Sequence, residues 1–406
     1  MLGTMGLTLL SSTYPSMTQE LGVPISLVGL ALGASSFVRL FASLISGVWG
    51  NKFGRVHWLR VSNILLIITL VLVSRIWNVV SFILLVVLVG FTYQSVISLT
   101  LILVAEHSPA KHRGWLTGIT NAFAFGATLG PLLGLWALSS GLGWRFPWIV
   151  LVIPAAINLV QSFFIKEPER YLEMRNVIRA LKRGEKPPQN LKYPLEIEKA
   201  QQSSFRQLFG KDIRRTSILF AVWLGFATVI WYNGSTYWAL LFSAEKGMSY
   251  MESVAMFGYL WILSEPGFLG GAFLGQVVGR NQIMCIGCVI AAVGNFVLAQ
   301  FAYGFTQVVL MAAVMMIGQG IIWGAFPSYS SEIAPTRIRT MFAAFSSVIS
   351  SIVSAVTLPL MVFSSQIVGW GMTYQLFVTS SAVLCAVLLL FLPKPRPRAG
   401  LEEIAK

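Results

Sequence analysis

With 406 residues of which only 11% are charged and 56% are hydrophobic, the chain is too poor in charge for an ordinary water-soluble domain, where about a quarter of residues are charged. Its mean hydropathy of +0.74 and its repeated apolar runs of roughly twenty residues put it in the polytopic membrane class. The net charge of +14 would suit a nucleic-acid partner, but the cations are gathered between the apolar runs, and that location excludes the reading.

Taken in chain order, the apolar stretches predict twelve membrane spans. They run over about 1–15, 24–48, 58–76, 79–105, 115–140, 145–165, 215–243, 251–275, 282–303, 306–330, 341–365 and 372–393. The first is short for a full span and stops at Pro15, with no basic region of a signal peptide before it. A truncated first helix, or a true start upstream of Met1, is the expectation, the second being favoured. Between spans six and seven, Lys166 to Arg215 carries thirteen Lys/Arg against seven acids and is interrupted by Pro187 and Pro188, which reads as a connector. The expected organisation is a six-helix bundle over 1–165, a basic cytoplasmic linker over 166–214, a second six-helix bundle over 215–393 and a cytoplasmic tail over 394–406.

The cations set the topology. Twenty-five of the 29 basic residues fall in the even-to-odd loops, the linker and the tail; only Arg39, Arg75, Arg145 and Lys246 fall elsewhere. Both termini are therefore expected in the cytoplasm, with the chain crossing the plasma (inner) membrane.

Two motifs recur about half a chain apart. Gly50-Asn51-Lys52-Phe53-Gly54-Arg55 matches Gly275-Gln276-Val277-Val278-Gly279-Arg280, an offset of 225. Glu106, Pro109 and Arg113 in the loop after span four match Glu332, Pro335 and Arg339 after span ten, an offset of 226. Two independent motifs at nearly one spacing indicate two six-helix halves in parallel register. The glycines permit tight turns and close helix packing; the Glu and Arg residues can bridge helices at the membrane face. These residues read either as topogenic and structural or, together, as a cytoplasmic gate that breaks and reforms while two halves rock about a central site.

Only two ionisable residues sit well inside spans. Glu265, in "WILSEPGFLGG", lies near the middle of span eight. Desolvation favours the protonated form of a carboxylate, which suits reversible proton binding; the alternative is a structural pair with another helix. Arg39, in "SSFVRLFAS", either snorkels to the interface or faces inward to hold an organic anion or partner a carboxylate.

These motifs resemble the major facilitator superfamily over nearly the whole chain. Gly47 to Arg55 resembles its loop 2–3 signature G-x-x-x-D-x-x-G-R, with Asn51 in place of the aspartate and Gln276 at the second-half equivalent. Glu106 to Gly114 resembles the loop 4–5 signature of the sugar-porter and metabolite:proton symporter branches, and "KEPERYL" (Lys166 to Leu172) resembles the P-E-S-P-R those branches carry after helix six. The resemblance implies an all-α protein of twelve transmembrane helices that works by alternating access, commonly as a monomer. It also implies that helices 1, 4, 7 and 10 line the cavity. On those helices Tyr93, Gln94 and Ser98, Asn233 and Tyr237, and Gln319 and Trp323 are the candidate solute contacts, because aromatic faces with sparse amides suit stacking and hydrogen bonding. For Trp231, Trp238 and Tyr329 an interfacial, lipid-facing role competes with that reading.

The segment Gly126 to Gly134 in span five resembles a drug-antiporter motif without its final paired glycine, and also reads as small residues for close packing. The resulting expectation is a secondary transporter of a sugar, aromatic acid, other organic acid or related metabolite, with proton symport. A proton-coupled exporter is the runner-up, and a non-transporting sensor a third reading. No cofactor, metal or enzyme site is expected. His57, His107 and His112 sit at loops, Cys285 and Cys288 form a lone C-x-x-C within an apolar span, and no Walker-type loop is present.

Overall fold

In the computed structural model, residues 2–107, 125–169, 171–173, 175–176, 208–210, 213–334 and 339–395 are described, and among them the secondary structure is helical with no strand. Eight of the helices are long and apolar enough to cross a membrane on length and composition alone. The described helices group into twelve rods. The first four are α1 (Leu2–Leu21), α2 (Ile25–Phe53), α3 (Arg55–Val73) and α4 (Val79–His107). Next come α5 (Phe125–Ser139) and α6, made of Arg145–Val150 and Val152–Phe164. The part of the fifth predicted span before residue 125 lies outside the described residues.

The second set begins with α7, assembled from Arg214–Thr228, a π-helical turn Val229–Asn233, the short Gly234–Thr236 and Trp238–Glu245. It continues with α8 (Tyr250–Val277), α9 (Arg280–Gln300) and α10 (Gly304–Ile333). The continuous stretch Arg339–Tyr374 is broken at Gly369, where φ is +80°. This gives α11 (339–368) and α12 (370–391), the latter including a second π turn, Gln375–Thr379.

The first rod corrects the sequence expectation: α1 passes through Pro15 and ends at Leu21. A proline loosens the preceding turn, and a membrane helix tolerates it when a neighbour takes up the freed backbone group. The carbonyl left without its N–H partner is that of Ser11; one residue on, the Tyr250 hydroxyl of α8 donates to the Ser12 carbonyl at 2.7 Å.

The two sets of six pack alike. In the first, α2 lies on α4, α3 on α4 and α6, and α1 on α5; in the second, α8 lies on α10, α9 on α10 and α12, and α7 on α11. The halves then meet through two equivalent interfaces, α2 with α11 and α5 with α8. Within each half the rods approach to backbone contact, as lipid-embedded bundles do where small residues line the seam. A Cβ on Gly267 of α8, for example, would lie 2.3 Å from the Ile317 carbonyl of α10. The α8 rod also explains how side chains sort between lipid and interior. Tyr259, Ile262, Leu269 and Phe273 are exposed along one face, while Gly258, Trp261 and Phe268 are buried along the other. Exposed apolar faces of this size are stable only in lipid. The chain is a multi-pass membrane protein.

The recurrent glycines make matching corners. Gly54, before α3, has φ +116°, and Gly279, before α9, has φ +115°, a region that L side chains avoid. Each lets the chain reverse between adjacent rods without an intervening loop.

Candidate functional site

The contacts described between the two halves lie toward the rim opposite the basic corners. Tyr14 of α1 meets Tyr237 of α7 edge-on, ring centroids 6.4 Å apart. Tyr250, besides its bond to Ser12, accepts from the Ser16 hydroxyl at 3.2 Å. Gly29 and Gly33 of α2 face Val362, Pro359 and Ala355 of α11, and Gly258 of α8 faces Leu132 and Pro131 of α5. The innermost of these contacts is the Arg39 guanidinium of α2 over the Tyr232 ring of α7, 4.2 Å from its centroid.

Around that contact is a set of half-buried side chains. On the first half, Arg39 donates to the Ser36 hydroxyl at 3.3 Å. One turn further along α2, Ser43 shares a 3.4 Å hydrogen bond with Ser98 of α4, which also accepts from the Gln94 amide at 3.1 Å. On the second half, Trp231 sits next to Tyr232 and packs against Trp261 and Phe268 of α8 and Trp323 of α10, with centroids 4.9, 5.6 and 5.8 Å away. Glu265 lies on α8 one turn from both Trp261 and Phe268, so its half-buried carboxyl belongs to the same face. Arg39 makes no ion pair among the described residues, with Glu265 or any other acid. A cation at this depth carries an insertion cost of about 2.5–3.5 kcal/mol, offset here by one ring and one hydroxyl.

The described contacts thus join Arg39 to Tyr232, Gln94 and Ser43 to Ser98, and Trp323 to Trp231, with Glu265 on the α8 face that carries Trp261 and Phe268. Four other candidates are engaged in packing between helices. Tyr93 is fully buried with its hydroxyl against Gly6 of α1. Asn233 donates to Thr357 at 2.6 Å and accepts from Ser354 at 2.9 Å, both on α11. Tyr237 donates to the Leu358 carbonyl at 3.1 Å. Gln319, also buried, donates at 3.2 Å to the Ile230 carbonyl, which the π turn makes available. Trp238 and Tyr329 are not lipid-facing: Trp238 is buried against Phe257 and Trp261, and Tyr329 bonds Asn281 and the Pro393 carbonyl, whereas Trp231 is half-buried. Gly130 and Gly134 of α5 are spent on packing: a Cβ on Gly130 would meet the Met5 carbonyl, and one on Gly134 the Ser12 hydroxyl at 3.2 Å, both of α1.

At the basic rim the repeated motifs close two corners differently. Gly50 faces Leu99, and its repeat partner Gly275 faces Ala325. Beyond Gly54, the Glu167 carboxylate of the "KEPERYL" segment accepts from the backbone N–H groups of Arg55, Val56 and His57 at 3.1, 2.9 and 3.3 Å. This places an anion on the N-terminus of α3, where the helix dipole favours it. The Arg55 side chain lies over Tyr171, 5.6 Å from its centroid. Beyond Gly279, Arg280 forms an ion pair with the buried Glu332 at the end of α10. The second motif's Glu therefore bridges to the arginine of the first. Arg113, and the side chains of Asn51, Glu106 and Arg339, lie outside the described residues.

The opposite rim holds a repeat that motif reading missed. Glu20, ending α1, accepts from Trp144 Nε1 and Arg145 Nη1 at the start of α6, each at 2.6 Å. Glu245, ending α7, accepts from the backbone N–H groups of Trp370 and Gly371 at the start of α12, the latter at 2.6 Å. The spacing of these two glutamates is again 225, so the signal was present in the sequence offset. Beside Glu245, Lys246 is buried, donating to the Ala299 carbonyl at 2.6 Å. Burial pushes its ammonium below the usual lysine range, with Glu245 opposing.

The sequence model of the Major Facilitator Superfamily matches residues 1–277 and 267–405. The chain belongs to the Major Facilitator Superfamily. Among curated proteins, this facilitator is 25% identical over 339 residues to the cis,cis-muconate transport protein of Acinetobacter baylyi, covering 82% of this chain and 77% of that one. It is 23% identical to the niacin transporter NiaP of the same organism, covering 90% and 82%. It is 21% identical to the glucose transporter GlcP of Staphylococcus epidermidis, covering 96% and 88%. Among solved structures, the inward-open xylose transporter XylE from E. coli superposes with a TM-score of 0.77 at 18% identity, covering 99% of this chain and 96% of that one. That likeness carries the fold, twelve helices in two repeats. The relatives named here are transporters, and this facilitator is a transporter, not an enzyme.

Proposed function

We propose that this facilitator imports a small organic solute across the plasma membrane together with a proton, by alternating access. The bundles 1–165 and 215–393 rock as two bodies, 166–214 joins them, and the tail 394–406 and both termini lie in the cytoplasm with the basic rim, as the cation distribution favours. The observation that carries this reading is the one-sided meeting of the halves. Their contacts crowd toward the opposite rim, and the half-buried set around Arg39 lies on the basic side of them. A carrier resting open to the cytoplasm has this arrangement.

Within it, Gln94, Ser98 and Trp323 contact the solute from the two halves, and Glu265 carries the proton. A carboxyl in a face built from Trp231, Trp261 and Phe268 is one whose charge state couples to closure around it. Tyr93, Asn233, Tyr237 and Gln319 shape the walls from behind. At the basic rim, Gly50, Asn51, Gly54, Arg55, Glu106 and Arg113, with Gly275, Arg280, Glu332 and Arg339, form the gate whose ion pairs must rearrange as the rim closes. The relatives act on a muconate, on niacin and on glucose by their names, so acids and sugars both fall within range. The exporter reading is less favoured, because Gly130 and Gly134 of α5 are occupied in packing against α1.

The test is uptake by purified protein in liposomes with an acidic exterior, screened across sugars, aromatic acids and short organic acids. Accumulation that collapses when the pH gradient is dissipated is the expected result. Solute efflux driven by proton entry would overturn symport in favour of exchange.

A further inference from the structure

Resting on that transport reading, we propose that Arg39 is the carboxylate-binding residue of the central opening, and that the solute is a small organic monoanion with a planar, apolar body. A guanidinium presents five N–H donors in a planar fork matched to a carboxylate. In Arg39 one of them is engaged, by Ser36, while the ring of Tyr232 covers one side and no acid pairs with it among the described residues. A structural arginine at this depth would be expected against a carboxylate or against backbone carbonyls. Among the described residues Arg39 has neither partner, and it stands half-buried at the innermost described contact between the halves.

The neighbours fit the rest of such a solute. Tyr232, Trp231 and Trp323 form a half-exposed aromatic wall for a flat apolar body. Ser43, Ser98 and Gln94 supply hydroxyl and amide groups one turn away on the same face of α2 and across from it on α4. One fixed cation argues for one carboxylate. Because Arg39 comes from the first half and Tyr232 from the second, an anion held by Arg39 against that wall touches both bodies, which is what lets binding drive closure. Arg39 also answers the choice left between acids and sugars: a neutral sugar gives no use for a guanidinium that no described acid pairs.

The experiment uses the full-length protein in detergent and in liposomes, with benzoate and nicotinate as probes and benzamide, nicotinamide and glucose as neutral counterparts. Tryptophan fluorescence reads binding beside Trp231 and Trp323, and acid-driven uptake reads transport. The expected result is saturable quenching and uptake with an acid and not with its amide. Arg39→Gln should lower kcat/KM at least 100-fold, and Arg39→Lys, which keeps the charge but not the fork, should lower it about 10-fold, chiefly through KM. Circular dichroism melts matching the wild type keep a misfolded variant from being read as a positive. Glucose uptake that Arg39→Gln leaves unchanged would overturn the anion assignment while leaving proton-coupled transport standing. Acid binding lost in Arg39→Gln, by a protein that moves none of the probes, would uphold the site and sink the transport reading instead.

Discussion

The two halves of this facilitator share a fold and divide the chemistry. Beside the Arg39–Tyr232 contact the first half carries polar groups, Arg39, Ser43, Gln94 and Ser98, and the second carries the rings of Trp231, Tyr232 and Trp323, with Glu265 on the neighbouring α8 face. The rims repeat the contrast. Glu20 of the first half pairs with an arginine and a tryptophan while half-exposed; Glu245 of the second is held by backbone N–H groups beside a buried lysine. A duplicated scaffold keeps its joints, here the glycine corners at Gly54 and Gly279, and lets each copy specialise where the copies face each other.

Removing the carboxyl on the second half sharpens this contrast most. Glu265→Gln is expected to abolish accumulation against a gradient while counterflow exchange persists, because binding groups stay and the proton carrier goes; accumulation that survives would remove Glu265 from coupling. Next comes the rim of the second half. Glu245→Gln should lower stability by about 1–3 kcal/mol, the range for leaving charged hydrogen bonds to buried groups unmade, read as a fall in melting midpoint. Tyr232→Leu removes the ring from Arg39 and should weaken acid binding by about 0.5–2 kcal/mol, seen as a raised KM with kcat nearly kept. The smallest effect belongs to Glu20→Gln. Its partly exposed pair with Arg145 should be worth about 0–1 kcal/mol after solvent screening, and a loss equal to that of Glu245→Gln would erase the claimed asymmetry of the rims.

Much of the architecture was legible because lipid imposes a simple code. The spans were readable as apolar runs, and the 225-residue offset read the duplication directly. Helix faces were harder. In a rod that is apolar all round, periodicity carries little information about which side meets lipid, a neighbour or an opening. Asn233 and Tyr237 do share a face, but that face is turned to α11, where Thr357, Ser354 and the Leu358 carbonyl engage them. Tyr232, the residue between Trp231 and Asn233, is the one that reaches across to Arg39. Nothing in the α7 sequence distinguishes it, since the π turn over Val229–Asn233 depends on tertiary partners such as Gln319. The course of α1 through Pro15 was hidden in the same way, since the turn around it is tied at Ser12 and Ser16 by Tyr250, some 230 residues away.

The most direct test of the central claim is the side from which the opening can be reached. With Cys285, Cys288 and Cys385 replaced by serine, single cysteines introduced as Ser98→Cys on the first half and Trp323→Cys on the second would be exposed to a membrane-impermeant maleimide in right-side-out and inverted vesicles. Both should react faster in inverted vesicles, and benzoate should protect both over one concentration range. Faster labelling in right-side-out vesicles, or protection of one position without the other, would contradict a single solute site between the halves that rests open on the basic side.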